Sequence, residues 1–385
     1  MNIIQFGPYP LDVNCIKGGV ESSVYGLANA LSLDHQVYVF DVPRLGQNDS
    51  RGLIGNTQIY RYQNNGRHNQ DAVSRLCDII SDMISLYPDV VHIHGTGEIS
   101  AKVYQALRKK GIKVLLTIHG LQHVEKYNLL RKKFTLKHLY QFVHQSRTEL
   151  RLIENTHSAI VDTEYVATQL HHLLLQRKIK TLPTMSVVPQ GINTEYLSLS
   201  SHGSDTKVIL SVGAISERKG HLYLIQAFEL VCKKDYNTKL IIAGSLADKN
   251  YHQMLLDYVS RSPYKNQIQV LVNLPQEQIF QLYQQATLFA LHTQEESQGI
   301  VFAEAMAVGL PIVSTNVGGV PYVVQDKNTG LLSEYTDIQS FAKNIDAILT
   351  NNELYQRLTT NAKKIAQSYD WSNIAKQVLN VYEQL

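Results

Sequence analysis

HTQEESQGIVFAEAMAVGLPIVST, residues 292–315, is the stretch whose reading decides the fold. It follows an apolar run at 286–291 that reads as a buried strand, then passes through a polar turn containing Gly299 into a short apolar helix. Gly309, with Pro311 two residues on, supplies the stop signals of a helix C-terminus, and 312–314 is the next strand. Strand, turn, helix and strand in that order are the unit of a parallel α/β sheet.

The turn chemistry suggests a site. The amides of Gly299, Ile300 and Val301 would be donors at a helix N-terminus, which favours an anion such as a phosphate. Glu304 lies about one turn further in, roughly 6–7 Å along the axis at ~1.5 Å per residue, about the distance from a diphosphate to its ribose diol. A carboxylate only accepts, so it can take both protons of a cis-diol. Glu296, before the turn, would sit on the sugar side of the phosphate. Taken alone, a pair of glutamates at this spacing carries little weight: Glu304 also suits a helix dipole, and Glu296 a solvated loop.

Working outward, the first half alternates strands and helices. A strand at 3–6 leads through a loop rich in turn residues to Gly18 and Gly19, where Val20, Val24, Leu27, Ala28 and Leu31 recur at helical spacing. This Rossmann-like start lacks G-x-G-x-x-G; the glycine pair instead allows close backbone approach to a ligand, or serves an ordinary turn. DVVHIHG at 89–95 and VLLTIHG at 114–120 are buried strands ending in His–Gly. Ligands of open parallel sheets bind beyond such carboxyl ends, which draws attention to His119 and leaves His94 open between a structural and a functional role. A further strand covers 159–163, and SVVPQGIN at 186–193 closes the first domain. Residues 194–206, rich in Ser, Gly, Asp and Thr, are the linker candidate. VILSVGAISERKGH at 208–221 opens the second domain with another strand, turn and helix, where Lys219 could neutralise a diphosphate. Strands at 240–244 and 268–272 follow, and Trp371, Ile374, Val378 and Val381 form the stripe of a closing amphipathic helix.

Composition sets the bounds. At 385 residues with 44% apolar and 18% charged, the chain has room for two globular domains. No apolar run spans a bilayer, and MNIIQF at the start reads as a strand, not a signal peptide, so a cytoplasmic location is expected. Cys15, Cys77 and Cys232 lie far apart, which indicates neither a disulfide framework nor a zinc site. The net charge of +3 hides an asymmetry: 101–180 holds 15 Lys and Arg against 5 Asp and Glu, so that tract carries +10 and the rest −7. Lys126, Arg131, Lys132, Lys133, Lys137, Arg147 and Arg151 are interleaved there with Leu129, Leu130, Phe134, Leu136, Leu139, Phe142 and Val143. That pattern suits a helix lying on an anionic membrane, at its inner face, or an ordinary solvated helix. No nucleic-acid module accompanies the charge, so no nucleic-acid partner is expected.

EESQGIVFAEAMAVGLPIVSTNVGGVPYVV at 295–324, together with the GGV, HG and ERKG elements above, resembles the retaining family 4 glycosyltransferases of the GT-B fold. The resemblance runs over nearly the whole chain. It implies two Rossmann-like, doubly wound domains facing a central cleft: 1–193 on the acceptor side, a 194–206 linker, 207–368 binding the nucleotide sugar, and 369–385 crossing back. It further implies sugar transfer from a nucleotide diphosphate sugar to a hydroxyl acceptor with retention; the basic and apolar tract on the acceptor side makes a lipid-linked or surface polysaccharide intermediate the expected acceptor. Gly19, Arg218, Lys219, Gln298, Gly299, Ile300, Val301 and Glu304 would bind the donor, and His119, Glu296 and Lys219 would serve the reaction. The chain departs from the pattern at Ala214, where the family has arginine, and Arg218 is the substitute. Gln190 and Asn193 replace the usual Asn and Asp of the hinge, and Asn273 stands where the family commonly has Gly near the base. No D-x-D occurs, so neither a metal nor another cofactor is expected. Two other classes share such a cleft: a nucleotide-sugar isomerase of the 2-epimerase type, and a non-catalytic nucleotide-sugar-binding protein.

Overall fold

The computed structural model describes residues 1–13, 16, 18–45, 48–64, 69–132, 134–177, 179, 183–201, 206–234 and 237–385, with the backbone alone at 42–45, 64, 69–74, 125, 128–129 and 131–132. Cys15 and Lys133 lie outside these residues, as do the side chains of Leu129, Arg131 and Lys132. The chain divides into two units, one made of Met1–Leu11, Lys17–Pro189 and Trp371–Leu385, the other of Asp12–Ile16 and Gln190–Asp370.

In the first unit the strands are β1 (Asn2–Gly7), β2 (Gln36–Leu45), β3 (Ser50–Ile54), β4 (Thr57–Asn64), β5 (Val90–His94), β6 (Val114–Ile118), β7 (Ser158–Val161) and β8 (Thr184–Val187). They form one sheet in the order β3-β4-β2-β1-β5-β6-β7-β8, parallel except for the β3–β4 hairpin. Near-continuous Val, Ile and Leu runs are what a parallel strand covered on both faces needs. One face packs Ile4, Phe6, Val91, Ile93, Leu116 and Val161 against Ile79, Met83, Val103, Tyr104 and Leu107 of two helices. The other packs Ile3, Val37, Val39, Leu115 and Ile160 against Val24 and Leu27 of the helix Gly19–Leu31 and Ile374, Val378 and Tyr382 of the helix Trp371–Glu383.

The second unit carries β9 (Lys207–Val212), β10 (Thr238–Gly244), β11 (Ile268–Val272), β12 (Leu288–Leu291), β13 (Ile312–Thr315) and β14 (Gly330–Ser333), all parallel, in the order β11-β10-β9-β12-β13-β14. In both sheets the direction of winding reverses beside the first strand, between β1 and β5 and between β9 and β12. Helices leave to opposite faces there, which opens a crevice at the carboxyl ends of the strands.

The stretch read as a linker differs in its first half. Thr194 opens the helical turn Glu195–Ser198, and Tyr196 is buried among Phe280, Tyr283 and Phe302 in the second unit's core. An aromatic side chain with a core to enter overrides the polar composition around it; residues 202–205 lie outside the described residues.

The closing helix is seated through one glycine. A methyl on Gly26 would come within 2.0 Å of Trp371 Nε1. Alanine is the better helix former by about 0.5–1 kcal/mol, but overpacking against an indole costs about 1–3 kcal/mol, so the clash decides the sign. Gly26→Ala is expected to lower the thermal unfolding midpoint by several degrees, and Trp371→Leu in the same chain to restore part of it. An unchanged midpoint in Gly26→Ala would show that the helix shifts freely.

Candidate functional site

At the switch point of the second sheet, the turns after β9 and β12 are pressed together. The turn Glu217–Lys219 ends at Gly220, whose φ of 61° is left-handed and whose Cβ position lies 1.7 Å from the carbonyl oxygen of His292. Any side chain there would push the turns apart. Their closeness delivers Lys219 to Glu296: Nζ donates to Oε1, Thr293 Oγ1 donates to the same oxygen at 3.1 Å, and Arg218 Nη1 lies 3.7 Å from Oε2. Lys219 is 8% and Glu296 5% exposed. Burial alone would push the Glu296 carboxyl up; Lys219, Arg218 and the two hydrogen bonds outweigh it and hold the group below its ordinary value. Arg218, nearly half exposed, also donates to the Glu295 carbonyl at 2.7 Å. From the far side Gly319 N donates to the Glu296 carbonyl at 2.7 Å.

The helix Ile300–Val308 starts at Gly299 with φ 78° and no side-chain cap, so the amides of Gly299, Ile300 and Val301 sit at its positive end beside Glu296. Gly309 ends it with φ 87°. Gln298 is placed differently from its expected role. Its side chain is 1% exposed, Oε1 accepts from Gln190 N at 2.7 Å, and Nε2 donates to Gln190 O at 3.1 Å. Both ends of the carboxamide are thus committed to main chain at the start of the second unit and not to a ligand. Glu304 is partly buried and receives hydroxyl hydrogen bonds from Tyr283, at 3.0 Å, and from Tyr196. Burial pushes its carboxyl up to about 7 against the pull of those two hydroxyls. Asn273 adopts φ 55°, the conformation a glycine would supply, and its Oδ1 accepts from Leu246 N at 3.1 Å.

In the first unit Gly18 and Gly19 are exposed at the start of their helix. The φ of 163° at Gly18 is extended backbone, and a Cβ there would meet nothing within 4 Å, so neither turn strain nor crowding within this unit demands glycine. The two His–Gly strand ends meet. His94, 4% exposed, faces His119 Nε2 at 3.2 Å through Nδ1 and Gln5 Oε1 at 3.0 Å through Nε2, and burial pushes it well down. It is an internal, neutral residue. His119 Nδ1 lies 3.3 Å from both oxygens of Asp162, the residue after β7. His92, pushed down to about 3 chiefly by burial, bonds Thr117 Oγ1 and the Tyr382 hydroxyl. Buried Glu149 accepts from Thr96 Oγ1 and the amides of Gln122 and His123, tying the loops beyond both His–Gly ends to one carboxylate. Sequence reasoning missed Asp162, Tyr196 and Tyr283. Only Asp162 left a signal, as a third strand end with a polar residue. Among the described residues no group of three or more His, Cys, Asp or Glu is placed to hold a metal, and no helix is long and apolar enough to cross a membrane.

Comparison with known proteins follows this geometry. Residues 197–365 match the model described as "Glycosyl transferases group 1", and 17–196 match "Glycosyltransferase Family 4". Two uncharacterized glycosyltransferases of Methanocaldococcus jannaschii are similar, one 32% identical over 46% of this chain and 45% of its own length, the other 25% identical over 77% and 76%. The chain thus aligns with about half the length of the first of them. Among solved structures, sucrose-phosphate synthase from Thermosynechococcus elongatus superposes with a TM-score of 0.80 at 20% identity, covering 100% of this chain and 99% of the other. An Anabaena protein solved with UDP and glucose gives 0.73 at 16% identity, covering 99% of each. At these identities the superpositions establish the fold.

The buried pair makes a stability test. Removing one partner of a buried ion pair costs about 3–5 kcal/mol, while replacing both with neutral groups is often close to neutral. Lys219→Met alone is therefore expected to weaken hydrogen-exchange protection of the second unit far more than Lys219→Met with Glu296→Gln. Equal losses in the two would show that the charges are not coupled.

Proposed function

Because the chain belongs to the group 1 glycosyltransferases and has the GT-B fold, we propose that it moves a sugar from a nucleoside diphosphate sugar to a hydroxyl acceptor with retention of anomeric configuration. The observation that carries this reading is the cluster of Lys219, Arg218 and Glu296 beside the uncapped helix start at Gly299, at the crevice where β9 and β12 diverge. The neighbour solved with UDP and glucose supports a nucleotide-sugar partner.

As the bond from the anomeric carbon to the diphosphate breaks, negative charge gathers on the leaving oxygens. Lys219 and the amides at Gly299, Ile300 and Val301 stabilise that charge, and Arg218 takes the place of the absent arginine at Ala214. The acceptor oxygen attacks the same face and gives its proton to the departing phosphate oxygen. Glu296, held ionised by its cations, accepts from sugar hydroxyls, while Glu304 accepts from the ribose diol. His119 acts on the sugar from its strand end, and Gly19 lends its helix amide to the diphosphate. With cationic side chains and helix termini supplying the countercharge, no divalent cation or other cofactor is required.

The acceptor is proposed to be a lipid-linked or surface polysaccharide intermediate, reached at the inner face of a membrane. Phe134, Leu136, Tyr140 and Val143 stand exposed at 50–81% beside exposed Lys137 and Arg147, around the helix Leu136–Glu154. Apolar and cationic side chains on one surface helix favour an anionic lipid interface over water.

Two experiments test these statements. In a donor panel run in EDTA, nucleoside diphosphate is expected to appear only when acceptor is supplied, with Glu304→Ala weakening UDP affinity and Lys219→Ala slowing transfer about a hundredfold to a thousandfold. Strict dependence on Mn2+ would contradict the metal-free reading. Release without acceptor would point to an isomerase or hydrolase, and no release with any donor to a binding protein. In flotation with anionic liposomes at low salt, the protein is expected to co-float and Phe134→Ser with Leu136→Ser to remain behind. Failure of the parent protein to float removes the membrane assignment.

A further inference from the structure

We propose that Asp162 is a positioning residue that fixes the proton of His119 on Nδ1 and so holds the ring at this strand end; the inference rests on the reading of His119 given above.

Four side chains form a line along which protons can be counted. Asp162 is 2%, His94 4% and Gln5 0% exposed, so water does not compete freely for their polar atoms. The line runs Gln5 Oε1, His94 Nε2 at 3.0 Å, His94 Nδ1, His119 Nε2 at 3.2 Å, His119 Nδ1, and the two Asp162 oxygens at 3.3 Å. A neutral imidazole has one donor and one acceptor, a carboxamide can present either end, and a carboxylate only accepts. Neutral His94 therefore has two arrangements. With its proton on Nε2 it donates to Gln5 Oε1 and its bare Nδ1 accepts from His119 Nε2–H. With its proton on Nδ1 it donates to a bare His119 Nε2, Gln5 turns its amide toward it, and His119 carries a proton on Nδ1 alone. A carboxylate only accepts, so Asp162 beside Nδ1 of His119 selects the second arrangement.

The register of the sheet builds this line. β1, β5, β6 and β7 are consecutive neighbours; Gln5 lies within β1, His94 ends β5, and His119 and Asp162 follow the carboxyl ends of β6 and β7. His94 is flanked by His92, whose nitrogens are turned away to Thr117 and Tyr382, so no other histidine nitrogen competes with Asp162 for the proton. Thr163 follows Asp162 and caps the helix Glu164–Gln176 by accepting from Val166 N, which anchors the carboxylate's backbone.

The test reads nitrogen protonation directly in the full chain. With 15N-labelled histidine and His119 assigned by its loss in His119→Gln, the wild type is expected to show a protonated Nδ1 between pH 6 and 8. A bare Nδ1 overturns the proposal without any variant. Asp162→Asn presents an amide hydrogen in place of one acceptor and is expected to raise the Nε2–H form of His119; unchanged shifts in that variant overturn it as well. In transfer assays Asp162→Asn should lower kcat roughly tenfold with donor KM little changed, as for outer partners of metal-bound histidines. In a His119→Ala background the same change should cost less than about twofold, because residues acting as one unit are not additive. Equal losses in both backgrounds would mean that Asp162 acts elsewhere. If His119→Ala keeps full kcat, the donor-sugar reading of His119 fails, and the nitrogen shifts still decide whether Asp162 sets its proton.

Discussion

The contact on which the second unit is arranged is the buried pair of Lys219 and Glu296. Two charges taken out of water lose several kcal/mol of hydration each, and their attraction repays this only if both are well supplied with further hydrogen bonds. The fold supports Glu296 in that way: Thr293 donates to its carboxylate from the strand end, Arg218 adds a second cation from the rim, and Gly319 holds the main-chain carbonyl of the same turn. Each arrives because a turn comes closer than a side chain would permit. Gly220 lies against His292, and a Cβ on Gly319 would fall 1.8 Å from the Ser297 carbonyl oxygen. Small residues thus set the distance between turns, and that distance holds the charges together. A well-packed apolar pair of similar volume is often no less stable at such a position, so a buried ion pair is weak evidence of stabilisation.

This explains what could be read ahead of the coordinates and what could not. The strand, turn and helix of 286–315 were legible because each carries a local signal: an apolar run, a glycine at φ 78° and a glycine at φ 87°. The stripe from Trp371 to Val381 was legible for the same reason, one period repeated along one helix. Gln298 was expected at the donor, and nothing in the string says that its carboxamide turns to a main chain 108 positions earlier. Tyr196 was hidden inside a polar stretch whose composition signals a linker while its one large ring signals a core. Glu296 was expected on the sugar side of the phosphate, or else in a solvated loop; the lysine beside it comes from a turn 77 residues away.

The first unit shows the same limit differently. Its strand ends were flagged by histidines, and the histidines do meet, but their meaning depends on partners that carry no motif. Gln5 sits inside an apolar strand and Asp162 just beyond another. Parallel pairing brings their strands to the two sides of the His94 and His119 strands. Burial then makes His94 neutral and turns a row of strand ends into a line along which protons can be counted. Glu149 does comparable work beyond the ends, since one carboxylate accepts from the loops that follow both histidines.

Glu304 joins these themes, because its surroundings oppose one another. Burial lifts its carboxyl from the ordinary 4.5 to about 7, and the hydroxyls of Tyr283 and Tyr196 resist by bonding the ionised form. The folded chain therefore holds this proton more tightly than the unfolded chain does. Stability from that difference is complete below about 4.5 and is lost as the pH rises toward about 7, the reverse of a carboxylate held by a cation. Near neutrality the group is poised between acid and acceptor. A diol that brings two more donors favours the ionised form, so binding and proton release are linked at this position. Glu296, eight residues earlier and held ionised by Lys219 and Arg218, needs no such release. The two carboxylates of one motif thus differ because burial pushes both up and only Glu296 faces cations that outweigh it.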